Sequence, residues 1–87
     1  MIVSTAAPIH TMKDLGETVR RARRERGLTQ IALAERANVA RGAVQKLESG
    51  RGTVTLPTVL KVMQTLSLDL VVSPRSTPIR PGAVRHD

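Results

Sequence analysis

The sequence predicts a small all-α domain of four to five helices, ended by one short β-strand. Three observations carry this. Apolar residues recur at spacings of three and four in separate stretches, Thr, Gly and Asn stand where those stretches begin and end, and the period drops to two after Ser67. The chain has 87 residues, enough for one domain with a modest core.

Residues 1–10 contain Pro8 and show no period, so they are expected as a flexible tail. Thr11 is a candidate N-cap, with Asp14 three residues on as a short capping-box acid. Met12, Leu15, Val19 and Ala22 then mark one face of a helix running to about Arg26, and Gly27 is the natural left-handed stop. Leu28 closes that end. Thr29 caps a second helix starting at Gln30, with Ile31, Leu33, Ala34 and Ala37 as its apolar set. Asn38 tolerates positive φ, and Val39 is a small apolar plug.

A third helix is expected from about Arg41 to Glu48, with Val44 and Leu47 inward and Arg41, Gly42, Gln45 and Lys46 outward. Gly42 in its first turn costs stability, about 0.8 to 1 kcal/mol relative to alanine in a helix interior, which suggests a need for close backbone approach. After the basic loop from Arg51 to Val54, Thr55 caps a fourth helix with Pro57 in its first turn. Leu56, Val59, Leu60, Met63 and Leu66 form its expected buried face. Leu68, Leu70 and Val72 then alternate with Asp69 and Val71. A lone strand leaves its backbone groups unpaired, and pairing with the same strand of a second subunit satisfies them. The domain so defined covers residues 11–72, and the Pro- and Arg-rich residues 73–87 are expected as a disordered basic tail.

Charge and composition narrow the function. Fourteen Lys and Arg against seven Asp and Glu give a net charge of +7, which draws the chain toward a polyanion. Hydrophobic residues make up 40% of the chain but none is aromatic, so no ring can stack on an unpaired base as RNA and single-strand readers favour. Cysteine is absent, which excludes disulfides and thiolate metal sites. His10 and His86 lie in opposite tails without ligand-spaced companions, so no metal or cofactor is expected. No nucleophile–base set, paired carboxylates or phosphate-cradling glycine loop is present, which argues against an enzyme. No stretch has the length and purity of a membrane span, and MIVSTAAPIHTMK lacks the basic start and apolar run of a signal peptide, so a cytoplasmic location is expected.

The stretch LTQIALAERANVARGAVQKLESG resembles the helix-turn-helix of the Cro and lambda-repressor-like superfamily. It has the Thr-Gln helix start, the Leu-Ala-Glu helix, the short turn and the Val-x-x-Leu-Glu-x-Gly ending in order. The flanks DLGETVRRARRERGLTQ and TLPTVLKVMQTLSLDLVV are similar to HipB-type antitoxins, whose last strand pairs between subunits. The resemblance implies that the third helix enters the major groove, with Arg41, Gly42, Gln45 and Lys46 toward base edges. It implies phosphate contacts for Gln30 and Thr29 at a helix start, for Arg51, and for Arg20 and Arg24 of the first helix. It also implies a structural ion pair between Arg23 and Glu48, and a dimer strand of Leu68, Asp69, Leu70, Val71 and Val72.

Two positions depart from the family pattern: Ala40 stands where Ser or Thr often caps, and Gly42 where a side chain often reads a base. The function implied is a homodimeric repressor of a pseudo-palindromic double-stranded operator, and a HipB-like antitoxin that neutralises a HipA-like kinase toxin. A stand-alone regulator of phage-repressor type and a protein-interaction module using the fold as a scaffold are the alternatives.

Overall fold

The computed structural model describes residues 8–72 and residue 74. Among them are four helices: α1 (Met12–Glu25), α2 (Gln30–Ala37), α3 (Arg41–Ser49) and α4 (Leu56–Thr65). Helix α3 packs against all three others. The core is wholly aliphatic, with Val19 from α1, Leu33, Ala34 and Ala37 from α2, Val44 and Leu47 from α3, and Val59, Val62, Met63 and Leu66 from the α4 region.

Side-chain hydroxyls start three of the helices. Thr11 accepts from the Asp14 N–H while the Asp14 carboxylate accepts from the Thr11 and His10 N–H groups, a complete capping box. Led by the His10 backbone N–H, these donors hold the Asp14 carboxyl below the ordinary aspartate range. A depressed carboxyl stabilises the folded state above its ordinary range, and that contribution is lost as pH falls through the lowered value. Thr29 and Thr55 cap α2 and α4 in the same way, whereas Ala40 offers α3 no side-chain acceptor.

Helices α1, α2 and α4 end alike. A residue with positive φ (Gly27 at 68°, Asn38 at 57°, Ser67 at 55°) turns the chain. An aliphatic residue follows, and its N–H bonds the carbonyl five positions back: Leu28 to Arg23 at 3.1 Å, Val39 to Ala34 at 3.0 Å, Leu68 to Met63 at 2.8 Å. Each of these residues then packs on the core edge, the hydrophobic closure of the Schellman arrangement.

Leu68 therefore also closes the end of α4, where its N–H satisfies one of the last helix carbonyls before the chain extends. No strand occurs among the described residues, and Asp69, Leu70, Val71 and Val72 run on without regular structure, all exposed. Four apolar residues expected inside lie outside: Met12 and Leu60 are each 38% exposed, Ile31 47% and Leu56 59%. On α4 the buried set Val59, Val62, Met63 and Leu66 is centred one side of the expected face, and Val62 takes the place expected for Leu60. Gly16 was not expected in the interior. It is buried where α1 crosses α3, and a Cβ there would lie 2.8 Å from the Glu48 carbonyl oxygen and closer still to that of Leu47. Of the tails expected at residues 1–10 and 73–87, residues 1–7, 73 and 75–87 lie outside the described residues.

Candidate nucleic-acid interface

The two faces of α3 differ completely. Val44, Leu47 and Glu48 are buried, while Arg41, Gly42, Gln45 and Lys46 are all exposed. Helical period alone produces this split, since positions 44, 47 and 48 share one stripe and 42 and 46 lie opposite it. The outward row therefore sits on a rigid element whose back is fixed by the core. Gly42 has no protein atom within 4 Å of where a Cβ would stand.

The other end of α3 gathers cations. Gly50, with φ 70°, stops the helix, and a Cβ on it would lie 2.8 Å from the Lys13 Cα. The N-terminus of α1 is thus pressed against the loop that carries Arg51. The Lys46 stem lies along the same loop, its Cδ 3.5 Å from the Cβ position of Gly52. Lys13 therefore joins the Lys46 and Arg51 edge, a proximity the sequence did not signal because it depends on the α1–α3 crossing. Arg20 and Arg24 form a separate group with Arg21, Glu17 and Glu25 along a shallow trough on α1.

Behind this surface lies one buried polar cluster. Arg23 Nε donates to Glu48 Oε2 at 2.6 Å, Arg23 Nη2 to Glu48 Oε1 at 3.0 Å, and Arg23 Nη1 to the Leu28 carbonyl at 2.8 Å. The hydrogen-bonded Glu48 carboxylate raises the Arg23 pKa above its ordinary value. Arg23 and Glu48 are 9% and 8% exposed, so removing one partner alone should cost about 3 to 5 kcal/mol by stranding the other's charge. Gln30 Nε2 also donates to Glu48 Oε1, at 3.1 Å, so the first side chain of α2 is tied to the end of α3. The Thr29 hydroxyl is engaged as acceptor for the Ala32 N–H at 3.0 Å.

A basic, rigid helix with an unencumbered outer face, set behind a second short helix by a three-residue turn, is the geometry of a double-stranded DNA reader. The chain belongs to the Helix-turn-helix family, which it matches over residues 19–72. Its relatives and structural neighbours are DNA-binding transcriptional regulators and not enzymes.

Among them is the HTH-type transcriptional regulator y4mF of Sinorhizobium fredii, 40% identical over 68 residues that span 76% of this chain and 90% of that protein. The HTH-type transcriptional regulator PrpR of Mycobacterium tuberculosis is 38% identical over 53 residues, but these are 61% of this chain and only 11% of PrpR. In fold, the chain is similar to one in a HipA–HipB–O2–O3 complex, with a TM-score of 0.72 at 23% identity over 79% of this chain and 97% of that one. It is also similar to the restriction-modification controller protein C.AhdI of Aeromonas hydrophila, with a TM-score of 0.62 at 29% identity over 67% of this chain and 88% of that one. Among the described residues no helix is long and apolar enough to cross a membrane.

Proposed function

We propose that this chain is a dimeric, sequence-selective DNA-binding repressor that lays α3 of each subunit into one major-groove half-site of a pseudo-palindromic operator. The observation that carries it is the outer face of α3, where Arg41, Gly42, Gln45 and Lys46 are exposed on a helix whose other side is locked into the core. Arg41 and Lys46 suit the guanine O6 and N7 acceptors, and Gln45 suits adenine. Thr29, Gln30, Arg51, Arg20 and Arg24 meet phosphates, which supply most of the affinity. Two subunits pair through the segment Leu68–Val72, whose last three side chains lie exposed and apolar.

Within this class the chain acts as a HipB-like antitoxin, holding a HipA-like kinase and repressing its own operon. The likeness in length and fold to the HipB-complex chain supports this, and the likeness to C.AhdI supports a stand-alone regulator as the second reading. A kinase-like reading frame abutting this gene, and a larger subunit copurifying from the native operon, would favour the antitoxin. The DNA-binding reading is tested by selecting a duplex from a random pool and titrating it against Arg41→Ala. Affinity for the selected duplex should fall about tenfold while random-duplex binding changes little. Equal losses on both would remove Arg41 from base readout, and a wild-type chain that prefers no duplex would overturn the proposal.

A further inference from the structure

Glu48 is bonded on both oxygens by Arg23, and Gln30 adds a third bond to Oε1 at 3.1 Å. Arg23 already gives each carboxylate oxygen a charged donor, so the Gln30 bond does little for the ion pair. What it fixes is the direction of the amide. We infer that Glu48 is a positioning residue for DNA binding, holding one N–H of the Gln30 side chain inward so that the other is presented to a DNA phosphate at the start of α2. This deepens the proposed DNA-binding role and rests on it.

A primary amide carries two donors on one planar nitrogen, so committing one sets the line of the other. Gln30 is the first residue of α2, where backbone N–H groups lack intrahelical acceptors and Thr29 takes only that of Ala32. An anion is favoured at such an end. Glutamine has several rotatable bonds, and ordering them before DNA arrives removes a cost otherwise met on binding. The carboxylate that does the ordering would itself repel a phosphate. Arg23 cancels that charge through two bonds to Glu48 and keeps its own place through the Leu28 carbonyl. The buried pair thus serves the DNA surface although neither member faces it.

The test compares Gln30→Ala, the apolar replacement Arg23→Met with Glu48→Leu, and all three together, on the duplex selected by the wild-type chain. Melting temperature is recorded beside affinity. Replacing both members of a buried pair with apolar residues is often neutral for stability, so a loss of binding without a loss of fold reports positioning. Gln30→Ala should weaken binding by about tenfold, as for a hydrogen bond to a charged group. The apolar pair should weaken it by a similar factor, and the triple variant should be no weaker than the pair. Additive losses, or wild-type affinity in the apolar pair, overturn the inference while leaving DNA binding intact.

Should the apolar pair fail to fold, amide spectra of the wild-type chain decide. One Gln30 side-chain proton should resist solvent exchange with and without duplex, and the other should shift when duplex is added. Equal exchange of both protons, or loss of the protected one on binding, overturns it. A wild-type chain that retains no duplex DNA overturns the proposed function and this inference together.

Discussion

Two glycines on neighbouring helices, Gly16 and Gly42, stand in opposite surroundings, and single methyl groups distinguish them. At Gly16 a Cβ would press into the backbone carbonyls of Leu47 and Glu48, neither of which can step aside without moving α3. Gly16→Ala should therefore destabilise the fold by about 1 to 3 kcal/mol, read as a lower denaturation midpoint. At Gly42 the same methyl meets nothing, so Gly42→Ala should stabilise by up to about 1 kcal/mol through helix propensity. If Gly42 serves close approach to the groove, the stabilised variant should bind the selected duplex more weakly, and unchanged binding would dismiss that role. Gly16 sits among Leu15, Val19 and Ala22 in the sequence, and its place on the apolar stripe was the signal available. Nothing local joins Arg23 to Glu48, which stand 25 positions apart. Family likeness suggested that pairing, while Gln30 as a third partner left no trace in the chain.

At the scale of elements, helix boundaries were the most legible feature because they depend on local chemistry. Thr11, Thr29 and Thr55 each cap the helix that follows, and Gly27, Asn38 and Gly50 each turn left-handed where a helix ends. The left-handed turn at the end of α4 was not legible because serine carries no such signal: Ser67 adopts φ 55° despite its Cβ. Ser67→Gly should relieve the left-handed strain and raise stability by about 0.5 to 1 kcal/mol. Thermal melts of the two chains decide it, and a lower melting temperature in the glycine variant would mean the serine side chain helps hold the turn. The apolar face of α4 was harder to place, since the run from Leu56 to Leu66 is rich enough in aliphatics to fit more than one stripe. Tertiary packing chose Val62 over Leu60.

For the molecule as a whole, the exposed aliphatic side chains bear on assembly. Leu70 is 49% exposed, Val71 74% and Val72 90%, against ten buried apolar residues in the core among the described residues. A second copy covering them would make both folding and operator occupancy depend on protein concentration. Val71→Asp together with Val72→Asp should convert a sedimenting dimer to monomer and weaken binding to a two-half-site duplex, leaving the helical content unchanged. A wild-type chain that sediments as a monomer at the binding concentration would place the dimer contact in doubt.

The outer row of α3 also has a bearing on how such a protein changes over generations. Arg41, Gly42, Gln45 and Lys46 are exposed and appear in no side-chain hydrogen bond among the described residues, and what α3 owes to the fold is met by Val44, Leu47 and Glu48 from the other side. The outer row is therefore free of the packing that holds the helix in the fold. If the proposed reading holds, a lineage, or an engineer, could exchange the four outer residues as a set and change the preferred duplex without having to solve the folding problem again.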